Sequence, residues 1–265
     1  MKIYISSDME GTTGIVNWQE TELGNKLYDH FSEQMSKEVA AACRGALSGG
    51  ANEVLVKDAH SSARNINPDL LPRGTRILRG WTRNPFSMMA GLDKSFVGAV
   101  FTGYHSPATW SDNPLAHTMT GGITWIRING IPTSELVING WIAAYFKVPL
   151  LCVTGDEGIC QQAEELFPGV KTVPVNKGLG NASISIHPQE AVERIESTVK
   201  SVLEAGLPMK PVQLPSLFEV ELRFKEHHQA YYASFYPGVT RLDPHTIGYK
   251  TDSYLEFLKM FMFSH

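Results

Sequence analysis

Residues 2–11, KIYISSDMEG, open on an apolar run and end on two carboxylates that are two positions apart. The apolar part suits a buried strand, because a parallel strand covered on both faces is almost continuously hydrophobic. Asp8 and Glu10 point to the same side while the chain is extended, and Gly11 then allows the backbone to turn away. The segment therefore predicts a buried strand that delivers an acidic pair to one edge of a sheet.

The rest of the first two thirds of the chain alternates between strand and helix patterns. Apolar runs at residues 53–57, 96–102 and 148–154 resemble the first strand, and helical patterns occupy residues 134–146 and 157–166. Apolar residues spaced by four around Val39 predict another helix, with Ser32 as its N-cap and Gly49 at its end. This alternation predicts an α/β fold, a three-layer domain with a mostly parallel sheet.

The pattern changes towards the C-terminus. Residues 123–128 alternate and are followed by Asn129-Gly130, the dipeptide preferred in two-residue hairpin turns. Beyond residue 187 come a helical segment, a connector with Pro208, Pro211 and Pro215, a strand pattern at residues 218–224 and an apolar helix at residues 254–263. We predict an α/β domain at residues 1–187 and a smaller α+β domain at residues 188–265. The last helix is equally suited to internal packing and to a subunit contact.

Composition limits the kinds of partner. The chain has 265 residues, 43% of them hydrophobic, a formal net charge of −4 and no run of Lys or Arg. The charge pattern of a nucleic-acid-binding protein is missing, and no apolar stretch is long enough to span a bilayer. The sequence starts without a signal peptide pattern. Its three cysteines are an odd number, which favours free thiols in a reducing compartment. We expect a cytoplasmic protein that binds neither nucleic acid nor membrane.

Potential metal ligands follow three of the predicted strands. Asp8 and Glu10 follow the first, His60 follows the second and His105 follows the third. The carboxyl ends of parallel strands line the crevice where ligands bind, so these side chains are expected to converge. Carboxylate and imidazole ligands without thiolates suit catalytic zinc, although ligand type leaves manganese, cobalt and iron open.

Each of these residues also has a purely structural interpretation. The acidic pair suits a helix cap, and His60 and His105 suit hydrogen-bonded positions at a strand edge. Glu135 starts a predicted helix, where any carboxylate is favoured by the helix dipole.

Two nearby residues stay ambiguous on sequence alone. Asp58 could orient an imidazole or cap a turn, and His117 is either a functional residue of a mobile loop or a surface histidine. The Gly11-Thr12-Thr13-Gly14 stretch lacks the features of a dinucleotide fingerprint and of a P-loop.

In order and spacing, five segments resemble the zinc D-aminopeptidases: Ser7-Asp8-Met9-Glu10-Gly11, Lys57-Asp58-Ala59-His60-Ser61, Gly103-Tyr104-His105, His117-Thr118-Met119 and Glu135-Leu136. The resemblance implies two zinc ions per subunit, with Asp8 bridging them, Glu10 and His60 completing one site, and His105 and Glu135 the other. His117 would be a catalytic residue that does not bind metal. The resemblance also implies a homodecamer of two stacked rings that admits only short peptides.

The function expected from the resemblance is release of N-terminal D-amino acids from short peptides such as D-Ala-D-Ala. Two alternatives remain. The same ligand set suits hydrolysis of another small amide or of a phosphoester. The acidic loops could also bind metal without catalysis, as part of a scaffold.

Overall fold

A computed structural model describes residues 1–207 and 209–264; Pro208 of the predicted connector lies outside the described residues. The strands are β1 (Lys2–Ser7), β2 (Glu53–Asp58), β3 (Thr75–Leu78), β4 (Gly98–Tyr104), β5 (Ile123–Ile128), β6 (Ile131–Pro132), β7 (Leu150–Asp156), β8 (Lys171–Leu179), β9 (Ala182–Ser185), β10 (Phe218–Phe224), β11 (Thr240–Arg241) and β12 (Thr246–Thr251). The helices are α1 (Tyr28–Ser48), α2 (Glu135–Tyr145), α3 (Glu157–Leu166), α4 (Pro188–Glu204), α5 (His227–Ala233) and α6 (Tyr254–Ser264).

The larger sheet has seven strands in the order β3-β2-β1-β4-β7-β8-β9. Its pairs are parallel except for β9, which runs antiparallel to β8. Strand β1 lies between β2 and β4, and Ser7 at its end lies opposite Asp58 of β2 and Thr102 of β4. The predicted α/β class and mostly parallel sheet are confirmed, and three strands end side by side.

Both faces of β1 are covered, which explains its unbroken apolar sequence. Ile3 and Ile5 face one layer with α1 and α4, whereas Tyr4 faces the opposite layer with α2 and α3, and all three side chains are fully buried. Burying side chains of this size contributes roughly 1.5–3 kcal/mol each. The sheet is therefore held between two helical layers.

Helix α1 begins earlier than the sequence predicts. Its first residue is Tyr28, so Ser32 lies within the helix and the predicted N-cap is wrong. Ser32 Oγ instead donates a 2.6 Å hydrogen bond to the main-chain oxygen of Asn65. The predicted end at Gly49 is confirmed by its hydrogen bond to the Gly45 carbonyl.

The predicted hairpin is confirmed, and it joins a second sheet. Asn129 and Gly130 both have positive φ, 52° and 78°, as a type I′ turn requires. Strands β5 and β6 belong to an antiparallel sheet of order β11-β12-β10-β5-β6. This sheet takes strands from both sides of residue 187, while α4, which follows that residue, packs on α1. The domain division at residue 187 stays a prediction.

Two glycines press the strand ends against the Tyr104 carbonyl. A Cβ on Gly11 would lie 1.8 Å from that oxygen, and one on Gly155 would lie 1.9 Å from it. The Gly11 amide also donates a 2.8 Å hydrogen bond to the Gly103 carbonyl. Only glycine permits this approach, which brings the turn after β1 against the end of β4.

The change Gly11→Ala should lower the free energy of unfolding by about 2 kcal/mol or more, because the new methyl group collides with main chain that cannot move aside cheaply. Urea unfolding followed by circular dichroism measures the effect. Gly121→Ala is the matched control, since a Cβ there meets nothing within 4 Å. Equal unfolding midpoints for the two variants would contradict the close packing at Gly11.

Candidate metal centre

The six predicted site residues meet at the carboxyl end of the parallel sheet. Their potential ligand atoms form three groups within 4.8 Å: Asp8, Glu10 and His60; Asp8, His105 and Glu135; and Glu10, His105 and His117. The first two groups share Asp8. All of these residues are buried except His117, which is half-buried.

Strand ends and one helix start position these side chains. Asp8 and Glu10 follow β1, His60 follows β2 and His105 follows β4, as the sequence predicts. Glu135 is the first residue of α2, whose N-cap Ser134 accepts a hydrogen bond from the Val137 amide. Glu135 therefore lies near the helix dipole and also faces the cluster.

Each imidazole has one ring nitrogen within hydrogen-bond distance of a main-chain carbonyl. The contacts are His60 Nε2 to Thr21 O (2.9 Å), His105 Nδ1 to Ser106 O (2.9 Å) and His117 Nδ1 to Leu115 O (2.8 Å). A carbonyl only accepts, so that nitrogen carries the proton and the other nitrogen of a neutral ring has a lone pair. Main-chain carbonyls commonly orient metal-binding histidines in this way.

The second ring nitrogens face carboxylate oxygens. His60 Nδ1 lies 3.3 Å from Asp8 Oδ1 and 3.0 Å from Glu10 Oε2. His105 Nε2 lies 3.4 Å from Asp8 Oδ2 and 3.5 Å from Glu135 Oε1. Among the described residues, buried His105 Nε2 and Glu10 Oε2 nevertheless have no hydrogen-bond partner of acceptable geometry. Lone pairs that converge from nitrogen and oxygen fit a divalent cation of the zinc type.

Burying three carboxylates together creates strong electrostatic coupling. Burial and the charges of Glu10 and Glu135 raise the pKa of Asp8 to about 6. Burial opposes ionisation of Glu10 and Glu135 too, but nearby imidazoles hold the pKa of Glu10 well below its usual range and lower that of Glu135 to about 2.

The two buried histidines show the reciprocal effect. Burial alone would lower their pKa values, yet the neighbouring carboxylates raise the pKa of His60 and of His105 well above the usual range. The buried carboxylates thus stabilise positive charge on the neighbouring imidazoles. A divalent cation can supply that charge in place of the ring protons, which is why metal binding to such sites releases protons.

His117 lies next to the cluster but farther from its carboxylates. Its Nε2 is 3.9 Å from Glu10 Oε1 and 3.8 Å from Glu135 Oε1. The ring stacks on His105 with a centroid distance of 4.3 Å and contacts the edge of Trp18. His117 also lines the adjoining cavity, so it can reach both the cluster and a bound molecule.

That cavity has a volume of about 570 Å³, which suits a small molecule or a short peptide. Its walls include Trp81 and Arg83 from the loop after β3, Ile138 from α2, and Leu258 and Phe261 from α6. These wall residues could not be predicted from the sequence, because no spacing pattern relates a loop near residue 83 to a helix near residue 258.

Asp156, the N-cap of α3, fixes the turn that follows His105. Its carboxylate accepts hydrogen bonds from Ser106 N (2.7 Å), Ser106 Oγ (2.6 Å), Ile159 N (2.8 Å) and Asn113 Nδ2 (3.1 Å). The same Asn113 nitrogen donates to the Glu10 carbonyl at 3.1 Å. One buried acid therefore connects the main chain of two predicted ligands.

The Asp58 carboxylate fixes the turn that contains His60, as the Asp156 carboxylate fixes the turn that follows His105. Asp58 accepts from the main-chain amides of Asn65 (2.6 Å) and Ile66 (2.8 Å), and Asn65 Nδ2 donates to the His60 carbonyl at 2.6 Å. Asp58 thus caps the turn, one of the two roles left open by the sequence.

Comparison with known proteins identifies relatives over nearly the whole chain. The sequence model of a family described as D-aminopeptidase, peptidase family M55, matches residues 1–263. A D-aminopeptidase of Bacillus subtilis (strain 168) is 32% identical over 239 residues, which cover 90% of this chain and 86% of that protein. A solved structure, described as the Zn-dependent D-aminopeptidase DppA from Bacillus subtilis, a self-compartmentalizing protease, superposes with a TM-score of 0.93 at 30% identity, covering 100% of this chain and 96% of the other.

The change Asp156→Asn should weaken both the fold and the metal centre, because an amide nitrogen would replace an oxygen that accepts hydrogen bonds. We expect a loss of about 2 kcal/mol in the free energy of unfolding and a roughly 10- to 100-fold loss in metal affinity. Urea unfolding and competition with a chromophoric chelator measure the two effects. Exposed Asp252→Asn is the control. Wild-type metal affinity in Asp156→Asn would show that this carboxylate does not position the ligands.

Proposed function

This chain belongs to the D-aminopeptidase family, and on that premise we propose that it is a binuclear zinc aminopeptidase that releases N-terminal D-amino acids from short peptides such as D-Ala-D-Ala. The observation that carries the proposal is the convergence of buried carboxylates and carbonyl-oriented imidazoles beside a cavity of peptide size. The zinc dependence of the relative from Bacillus subtilis supports the choice of metal.

We assign the ligands by the two groups that share Asp8. Asp8, Glu10 and His60 would hold one ion, and Asp8, His105 and Glu135 would hold the other, so that Asp8 would serve both. Each of the five side chains is buried. Few protein ligands per ion leave open coordination positions, which catalytic zinc sites need and structural sites lack.

Bound zinc would supply Lewis acidity and an activated water at neutral pH. The protein has to supply a proton for the amine that leaves when a peptide bond breaks. His117 is suited to this transfer, because Nδ1 is held by the Leu115 carbonyl and Nε2 faces the carboxylates. Its contact with Trp18 orients the ring further.

The cavity walls support selection of small substrates. Helix α6 contributes Leu258 and Phe261, and α2 contributes Ile138 and Ile142, so one side of the cavity is apolar. Apolar walls favour uncharged side chains such as that of alanine, and the limited volume excludes folded chains. Chirality would be selected by the fit of the side chain against these walls.

We also infer that the protein assembles as a homodecamer and is located in the cytoplasm. A homodecamer agrees with the description of the relative as self-compartmentalizing and with several highly exposed apolar side chains: Leu179, Ile184, Tyr232, Phe235 and Phe263. Cys43, Cys152 and Cys160 are buried thiols without disulfides, as in a reducing cytoplasm. Within the described ranges, none of the helices is both long and apolar enough to cross a membrane.

Zinc-loaded protein should cleave D-alanine p-nitroanilide and D-Ala-D-Ala much faster than their L counterparts, and should leave N-acetylated peptides intact because the amino terminus is blocked. Chelation should abolish the activity and zinc should restore it. A p-nitrophenyl phosphodiester is the comparison substrate. Faster hydrolysis of the phosphodiester would favour a phosphoesterase, and equal rates on the enantiomers would contradict the D-specificity.

The variants His117→Ala and His60→Ala should separate proton transfer from metal binding. His117→Ala should retain about two zinc ions per chain and lose roughly 10²- to 10⁴-fold in kcat, whereas His60→Ala should lose zinc as well as rate. Elemental analysis beside steady-state kinetics makes the distinction. A near wild-type rate in His117→Ala would remove its catalytic role, and loss of zinc there would make it a ligand.

A further inference from the structure

Residues 79–86 form the loop between β3 and a 3-10 helix, Ser87–Met89, and this loop contributes one wall of the cavity. Side-chain contacts hold both ends of the loop. At its start, Lys57 Nζ donates to the Gly80 carbonyl at 2.9 Å and lies 4.3 Å from the centroid of the Trp81 ring. Trp81 Nε1 donates to the Ser61 carbonyl at 2.7 Å. At its end, the Phe86 ring packs 5.0 Å from that of Phe146. The residues between are therefore held in a defined place.

Two residues of this wall have left-handed backbone conformations although neither is glycine. Arg83 has a φ of 61° and Ser87 a φ of 43°. Such conformations cost of order 1 kcal/mol each, and they persist where the surroundings enforce them, often in ligand-binding segments. The surrounding structure therefore holds Arg83, a residue of the cavity wall, in a backbone conformation that costs stability.

Arg83 is also distinguished by its charge. Among the described cavity-lining residues it is the one Lys or Arg, whereas four are acidic: Asp8, Glu10, Glu22 and Glu135. Within the described part of the chain, its guanidinium has no hydrogen bond and no ion pair. The wall thus presents a cation without a counterion to whatever enters the cavity.

We propose that Arg83 binds the C-terminal carboxylate of the peptide substrate, so that the enzyme selects short peptides with a free C-terminus. A short peptide with a free C-terminus carries a carboxylate, and Arg83 offers a guanidinium in the same cavity that adjoins the proposed metal ligands. Arginine is suited to this role because its planar fork binds both oxygens of a carboxylate. The inference rests on the proposed aminopeptidase function.

The test compares substrates that differ only at the C-terminus. Wild-type protein should cleave D-Ala-D-Ala with a much lower KM than D-Ala-D-Ala amide. Arg83→Gln should raise KM for D-Ala-D-Ala about 10- to 100-fold, the usual effect of losing a hydrogen-bonded charge, and should lower kcat/KM for D-Ala-D-Ala far more than for the amide or for D-alanine p-nitroanilide. Arg83→Lys keeps the charge but loses the planar guanidinium, so its KM for D-Ala-D-Ala should lie between those of wild-type protein and Arg83→Gln.

Exposed Arg73→Gln, outside the cavity wall, is the matched control. Equal losses on the dipeptide and its amide in Arg83→Gln would mean that Arg83 only supports the loop, and an unchanged KM would mean that it contacts no carboxylate. Either result overturns the inference.

A binding measurement separates this inference from the proposed function. The probe is a D-Ala-D-Ala analogue whose amide is replaced by a methylene amine, titrated calorimetrically into zinc-loaded protein as the free acid and as the methyl ester. Arg83→Gln should weaken binding of the acid about 10- to 100-fold more than binding of the ester. If no peptide is hydrolysed but this difference appears, the proposed function fails while the carboxylate site stands. If hydrolysis occurs without the difference, only the carboxylate site is wrong.

Discussion

Parallel pairing of β1 with β2 on one side and β4 on the other is the constraint on which the site depends. Residues after each strand emerge at the same level, since Ser7 is opposite both Asp58 and Thr102. Residues separated by about fifty positions in sequence thereby come within ligand distance. Gly11 and Gly155 close the remaining space around the Tyr104 carbonyl, so the turns cannot drift apart without losing main-chain contacts.

The electrostatic consequence of that convergence is severe. Burial, and after it the repulsion from Glu10 and Glu135 in a medium that screens weakly, raises the pKa of Asp8. The fold sustains the arrangement with hydrogen bonds: main-chain carbonyls hold the imidazoles, and the carboxylates of Asp58 and Asp156 cap the turns that carry them. These hydrogen bonds hold the carboxylates close together, and the neighbouring imidazoles offset part of their repulsion, as the lowered pKa values of Glu10 and Glu135 show.

The convergence of Asp8, Glu10, His60 and His105 could be predicted from sequence because they follow apolar runs typical of buried parallel strands. His60 and His105 directly follow strands, and the Asn129-Gly130 turn has a strong local preference. Prediction failed where a tertiary contact outweighed a local one, as at Ser32, whose hydroxyl bonds the Asn65 carbonyl instead of capping α1. The position of Arg83 in the cavity wall could not be predicted from sequence, because no local pattern shows which loop residue faces a cavity.

Helix α2 links the candidate metal centre to the adjoining cavity. Its first residue, Glu135, faces His105, and one or two turns later Ile138 and Ile142 line the cavity. Tyr254 at the start of α6 donates a 2.7 Å hydrogen bond to the Ile138 carbonyl, so the C-terminal wall docks on the same helix. Because one helix carries Glu135 and supports two walls, the helix fixes the distance between the carboxylate cluster and the apolar side of the cavity. Discrimination between enantiomers requires such a fixed distance, since a wall that moved would accept either hand.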